Sequence, residues 1–357
     1  MRDVLVAGGG PAGLAAAIAL AERGANAVVV DGAGGVSASR GELLPHGALD
    51  LIARLGLSHI TTEAVKIENV VSRWGAGRAQ SHLGVPGLGL HGWAVDRHRL
   101  SLAMLKRVSD LGVRVIKDRI ATHVHSDDSW TVTTTRGAEA LRARYIIDAT
   151  GRPASVARRH GARQFQDTDL VTVMWKGPEG TGPAHMQAEA ASLGWWYALP
   201  FAEGRTVGYA TSAAEAKRIN TAPDAFLATA QRELTLIDLD GLRTKADLMD
   251  SRSAVLDAMS GTGWLATGDA AAAFDPIASQ GLFNALSGGF FAGNAAADVV
   301  AGDADAALVY EALAARSAAR SHSMTRMQYA AHPFESAFWI NRTGLAAMEH
   351  PNARRAG

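Results

Sequence analysis

The chain contains no cysteine among its 357 residues. That excludes disulfide staples, thiol redox chemistry and cysteine-held metals, and it fits a reducing cytoplasm. It has no excess of either charge. The 35 Lys and Arg balance 35 Asp and Glu, and no basic stripe stands out, which argues against a nucleic-acid partner. It has no unbroken apolar run fit for a bilayer. The run after Gly8 is mostly alanine and glycine and is broken by Glu22 and Arg23. The run from Ile277 to Val300 is interrupted by Gln280, Asn284, Asn294 and Asp298. Both read as buried helices, so no membrane span is expected. The first residues run straight into an apolar strand, with no secretory leader expected. There is no internal repeat and no low-complexity linker, and no metal site is expected. A chain of this length can bury a large core in one or two domains.

What is present is glycine in a telling place. Residues 3–31 read DVLVAGGGPAGLAAAIALAERGANAVVVD. A strand from Val4 to Ala7 runs into Gly8, Gly10 and Gly13 at G-x-G-x-x-G spacing. A helix follows, then a second strand, Ala27 to Val30, ending on Asp31. Gly8 turns the chain off the strand, Gly10 lets a pyrophosphate approach the backbone, and Gly13 lets the helix pack close to the sheet. Pro11 suits the first helical turn, where its missing N–H costs nothing. Ala12 lies in the same turn, whose free N–H groups favour phosphate. Asp31, 18 residues after Gly13, is placed to hold ribose hydroxyls. The order of strand, glycine turn, helix, strand and acid points to a dinucleotide site without separating FAD from NAD.

Further along, Arg40, Gly41 and Glu42 are expected in a loop, with Pro45 opening an amphipathic helix that ends near Gly56. A glycine-rich loop, Gly84 to Gly92, leads to GWAVDRHRL and a helix from Leu100 to Leu111. Strands are expected at Arg114–Ile116, Ala121–Ser126, Trp130–Thr135 and Tyr145–Ala149, the last ending in Thr150-Gly151-Arg152. From Leu170 to Asp250 the pattern is strand-rich, with LVTVMW, GWWYALPF and RTVGYATSA suggesting a sheet covered on one face. Pro223 to Leu236 reads as a helix. WLATGD returns to a buried strand, DPIASQG follows, and then a helix of small residues. The tail from Ala306 to Asn341 reads as helical. The fold class is therefore α/β. A discontinuous Rossmann-like domain (1–60, 96–160 and 262–305) carries an inserted β-sheet domain (61–95 and 161–261) and a helical C-terminal segment (306–357).

GGGPAG, DATGR (148–152) and GDAAAAFDPIASQG (268–281) together resemble FAD-dependent monooxygenases of the p-hydroxybenzoate hydroxylase and flavin-dependent halogenase superfamily. RGELLP (40–45), SRWG (72–75), GWAVDR (92–97), GWWYALP (194–200) and PFESAFWINR (333–342) add a closer likeness. It is to the tryptophan-halogenase-like flavoproteins that mature tryptophan-derived quinone cofactors. Two positions depart from the pattern: His46 stands where a second proline is usual, and Tyr197 stands at the second tryptophan of G-W-x-W-x-I-P.

The resemblance implies an FAD enzyme that uses a flavin C4a-hydroperoxide to hydroxylate an electron-rich aromatic of the indole or tryptophan type, free or held in a polypeptide. Halogenation by the same intermediate, or a reductase of the geranylgeranyl reductase type, is the alternative. NAD(P)H or an external flavin reductase supplies electrons, and O2 is the co-substrate. No second glycine motif stands in a strand–helix frame; Gly75-Ala76-Gly77 and Gly261-Thr262-Gly263 both lack one. Besides the opening motif, the resemblance implies cofactor contacts from Arg40, Glu42, Arg97, Ile120, Asp148, Gly151, Gly268 and Asp269. It implies the same for Asp275, Pro276, Ser279, Gln280, Gly281 and Leu282 of the loop along the flavin ring, with backbone contacts at Ser279 and Gln280. The helix after that loop would present its N-terminus to the reduced flavin's negative charge.

On the substrate side, His46 is a general base or a packing residue. Lys66 lies eight residues before Trp74, the halogenase lysine spacing, and is otherwise a solvated surface lysine. Trp195, Trp196 and Tyr197 line an aromatic pocket or form sheet core, and Tyr197 stands with His46 and Lys66 as a catalytic candidate. Phe283 is a further pocket candidate. Phe338, with Phe334 and Trp339, caps the pocket or docks a tail helix on the domain interface.

Overall fold

The computed structural model describes the chain except residues 33–35, 75–78, 84–91, 138, 167–168, 181–183, 243–244, 332–333 and 344–357. The expected glycine-rich loop, up to position 91, lies outside the described residues. So do Gly75-Ala76-Gly77, Pro333 of the tail motif and the end of the C-terminal segment.

The first sheet has a parallel core in the order Trp264–Ala266, Leu141–Asp148, Arg2–Ala7, Ala27–Val30 and Arg114–Ile116. Parallel strands are covered on both faces, which is why Val4 to Ala7 and Ala27 to Val30 are apolar and buried without alternation. The helix Pro11–Glu22 lies on one face and is itself covered by the helix Gly281–Ala301. A Cβ on Gly289 would stand 2.1 Å from the Ala12 carbonyl oxygen, and one on Gly293 2.4 Å from that of Ala16. The small residues of the later helix are thus what lets two backbones meet. Ser129–Thr134 and Ile120–Ser126 extend the sheet as an antiparallel pair.

The second sheet has seven strands in the order Asp247–Asp250, Val171–Gly177, Gly204–Thr211, Gly194–Phe201, Met186–Ala191, Asn69–Arg73 and Gln80–Leu83. The helices Ala213–Thr221 and Pro223–Glu233 cover one face, around Trp175, Trp196 and Tyr209. A small sheet of Gly41–Pro45, Gly92–Asp96 and Val65–Ile67 takes strands from both sides of the boundary expected at residue 60. It is tied to the large sheet by Gly41 N–H donating to Thr206 Oγ1 at 2.8 Å. The tail forms the helices Ala306–Ala330 and Ala337–Thr343.

Three local expectations are corrected. Gly41 and Glu42 are not in a loop: Gly41–Pro45 is a strand paired with Gly92–Asp96. Pro45 does not open a long helix. It ends the strand in extended geometry, and a 3-10 turn at His46–Ala48 precedes a short helix, Leu49–Arg54. RTVGYATSA does not end as strand. Pairing stops at Thr211, and the Ser212 side chain accepts from Glu215 N–H at 3.2 Å to start a helix. Ser212-Ala-Ala-Glu215 is a capping-box sequence that the strand reading overlooked.

Candidate active site

The glycine turn divides into glycines that are jammed and glycines that face space. Gly8 holds a positive φ of 113°, and a Cβ there would lie 2.1 Å from the Ala149 carbonyl oxygen. A Cβ on Gly13 would lie 1.9 Å from the Gly8 carbonyl oxygen. A Cβ on Gly10 would meet nothing within 4 Å. Gly10 caps the helix Pro11–Glu22 with no side-chain bond, so the first-turn donors are left for a ligand. Asp31 is buried at the end of its strand, its side chain against Gly9.

Gly10, Pro11 and Ala12 open into a cavity of about 400 Å³. Arg40, Glu42 and Arg97 form its next wall. Glu42 accepts from Arg40 Nε and from Arg97 Nη1, both at 2.9 Å. Burial alone would raise the Glu42 carboxyl. The two guanidiniums more than offset it and hold the group below the ordinary glutamate value. Across the cavity, burial raises the Asp269 carboxyl, opposed by Arg152 at 3.9 Å and by Arg97.

Asp275, Pro276, Ser279, Gly281 and Leu282 continue the wall. Asp275 Oδ1 accepts from Ile277 N–H at 2.9 Å, capping a 3-10 turn. Ser279 adopts φ 50°, left-handed geometry in a non-glycine residue. The helix Gly281–Ala301 begins there, again with no side-chain cap, and a Cβ on Gly281 would meet nothing within 4 Å. Two uncapped helix N-termini thus face one cavity.

Its far end is built by the large sheet. Trp195, Tyr197 and Leu199 share one face of their strand and line the cavity, joined by Thr172, Met174, Met186, Met249 and Ser251. The Tyr197 phenol donates to Met174 Sδ at 3.9 Å and is pushed up to about 12 by burial. Trp195 Nε1–H donates to Tyr329 Oη at 3.2 Å.

Several sequence candidates stand elsewhere. Trp196 points to the opposite face, stacked between Trp175 and Phe226 in the sheet core, so it does not line the pocket. Phe283, in the first turn of Gly281–Ala301, packs half-buried on the core around the helix Pro11–Glu22, and Phe338 packs with Tyr329, Trp339 and Arg342 to dock the tail on the sheet. Neither lines the cavity. His46 is exposed and stacked on Trp93 at 5.7 Å, not turned into the cavity as a base would be. Lys66 is 53% exposed and pairs with Glu68 at 3.3 Å.

At the glycine-turn end, Asp148 is fully buried behind the cavity. Its carboxylate accepts from the Thr150 N–H and Oγ1 and from Val156 and Ala157 N–H, which organises the turn after the strand. Burial raises this carboxyl against those bonds. Gly151 lines the cavity; Gly268 packs on Ala12, Gln280 donates to Met324 Sδ, and Ile120 begins an edge strand.

The sequence reading assigned no role to Arg152 or to the three methionines. Arg152 stands in the DATGR motif and reaches Asp250, Asp269 and the Arg252 carbonyl. Met174 was legible only through parity, since its neighbours Val173 and Trp175 face the opposite core.

Residues 1–327 match the family described as FAD binding domain, and the chain belongs to that family. The space left by Gly10 and Gly281, between two uncapped helix ends and the arginine–glutamate wall, fits FAD. Family and fold together define the class, an FAD-dependent oxidoreductase. The chain is 25% identical to LodB of Marinomonas mediterranea, named as an FAD-dependent oxidoreductase, over 98% of both proteins. In fold it is similar to the myxobacterial chondrochloren halogenase CndH (TM-score 0.84, 21% identity, 99% of this chain and 88% of that one). It is also similar to the peptidyl tryptophan dihydroxylase QhpG, essential for tryptophylquinone cofactor biogenesis (TM-score 0.76, 21% identity, 98% and 80%). Among the described residues no helix is long and apolar enough to cross a membrane.

Proposed function

We propose that the chain is an FAD-dependent monooxygenase that hydroxylates an electron-rich aromatic ring of the indole or tryptophan type, free or within a polypeptide. One observation carries this reading. A single cavity joins the glycine turn and its helix end to a wall of Trp195, Tyr197, Leu199 and Met174. A nucleotide fits the first part and an apolar ring the second. The similarity to QhpG supports the choice of a tryptophan-type ring.

Bound FAD supplies the two-electron chemistry with O2 that inserts one oxygen atom into the ring. The chain's own residues do the rest. Gly10, Pro11 and Ala12 bind the pyrophosphate, and Asp31 the ribose. Arg97 and Arg40, fixed by Glu42, keep positive charge beside the cofactor. The N-terminus of Gly281–Ala301 stabilises negative charge on the reduced ring. Trp195, Tyr197 and the methionines exclude water and hold the substrate ring. Electrons come from NAD(P)H, directly or through a flavin reductase, and the protein works in the cytoplasm.

Among the described residues no lysine lines the cavity, and Lys66 points outward, which favours hydroxylation over halogenation. The test is to reduce the FAD-loaded protein without air, mix it with O2, bromide and an indole or tryptophan peptide, and weigh the product. Gain of one oxygen is the expected result. Gain of bromine would establish a halogenase, and slow reoxidation with the substrate unchanged would point to a reductase.

A further inference from the structure

The tail helix Ala306–Ala330 carries buried polar side chains at i, i+4 and i+8: Ser321, Thr325 and Tyr329. A helix docking on an apolar core presents apolar residues on that face. Ser321 and Thr325 instead face the segment Ala272–Asp275 that leads into the cofactor loop.

Tyr329 is fully buried, and its hydroxyl donates to Asp275 Oδ2 at 2.9 Å while accepting from Trp195 at 3.2 Å. The other oxygen of Asp275 belongs to the loop's own cap at Ile277. One carboxylate is therefore held on both oxygens, once by its loop and once by the tail. Burial, reinforced by that carboxylate, lifts the Tyr329 phenol well above its ordinary value, so it remains a donor. Arg342 closes the far side, its guanidinium 3.9 Å from the Phe338 ring and bonded to the carbonyls of Phe338 and Asp169. Four residues past Asp275, Ser279 holds its left-handed conformation, which persists only where the surroundings enforce it.

We infer that Tyr329 is a positioning residue for the bound flavin: through Asp275 it fixes the Asp275–Gly281 loop, and the C-terminal tail is a working part of the active site. This rests on the assignment of that loop to the flavin under the proposed function. Tyr329 touches no reacting atom and acts through Asp275.

The test compares Tyr329→Phe, Asp275→Asn and the double variant with the parent. Hydrogen exchange on 275–281 is read without FAD, and the visible flavin spectrum and reoxidation rate are read with FAD bound. Phe338→Leu is the control for loose tail packing. Both single variants are expected to raise loop exchange several-fold and to shift the flavin band, and the double variant is expected to add nothing. Phe338→Leu is expected to lower thermal stability and leave the loop unchanged. The inference is overturned if loop exchange and spectrum stay at parent values in Tyr329→Phe, or if Phe338→Leu reproduces the loop change. Should Tyr329→Phe not fold, Asp275→Asn decides alone, and unchanged exchange overturns the inference. The exchange readout involves neither substrate nor O2, so failure of the monooxygenase reading leaves this test standing.

Discussion

The two ends of the cavity are built by different rules. The nucleotide end is made of backbone: glycines without Cβ atoms and two helix N-termini without side-chain caps. The aromatic end is made of side chains on alternate positions of a sheet, where Trp195 and Tyr197 face the cavity and Trp196 faces the core. Close backbone approach demands glycine at fixed spacing and so leaves a motif. A pocket wall demands only a side chain of suitable size and parity, and so leaves an ambiguity.

Within the nucleotide end the comparison is sharpest between Gly13 and Gly10, three residues apart. Gly13→Val drives a Cβ into the Gly8 carbonyl, which stands 1.9 Å from the ideal position, and backbone cannot give way cheaply. The expected outcome is loss of soluble folded protein. Gly10→Val puts its side chain into open space and is expected to fold with a melting temperature near that of the parent stripped of FAD, and to purify without FAD. Flavin absorbance per protein and thermal unfolding on the same samples check both. Full flavin in Gly10→Val would break the cofactor assignment.

The aromatic end offers the matching pair. Trp196→Ala removes a side chain packed between Trp175 and Phe226, and is expected to cost roughly 3–5 kcal/mol of stability. Tyr197→Phe on the next residue loses only a 3.9 Å contact to sulfur, and is expected to keep stability while changing KM or product yield. Urea unfolding and steady-state kinetics separate the two. If Trp196→Ala proved stable and inactive, the assignment of faces would be wrong.

This pair also shows what the sequence could and could not say. The parallel core, the glycine turn and the helix Gly281–Ala301 were legible because each depends on residues that few other structures require in that order. The run Gly194–Pro200 was legible as a strand, but alternation alone does not say which parity faces the core when both faces carry aromatics. Asp148 shows a related limit: the DATGR run displays an acid at a strand end, but only the fold shows that its carboxylate serves the turn's own backbone donors. Lys66 shows spacing without orientation: eight residues from Trp74 in sequence, it points away from the cavity. The Tyr329–Asp275 bond spans 54 positions, and nothing local to either residue announces it.

Asp31→Ala returns to the nucleotide end with a smaller effect. Asp31 is buried beside Gly9, and the proposed function gives it the ribose. Losing a charge-assisted hydrogen bond is worth about 1.5–3 kcal/mol, so FAD is expected to bind about ten- to a hundredfold more weakly. The fold is expected to survive. A fluorescence titration of the apoprotein gives the number, and an unchanged Kd would move the ribose elsewhere.

The smallest expected effect tests the boundary of the aromatic end. Lys66 sits between two residues of the strand Val65–Ile67, and Ile67 on the alternate side is buried. Period two therefore sends Lys66 outward, where it is 53% exposed and 3.3 Å from Glu68. An exposed ion pair of this kind contributes about 0–1 kcal/mol, so Lys66→Ala is expected to leave stability, FAD content and turnover at parent values. Catalysis through this amine would require the strand to turn over in register, carrying Ile67 out of the core with it. If Lys66→Ala abolished turnover with FAD still bound, the small sheet would have a second arrangement, and the cavity wall would include a lysine after all.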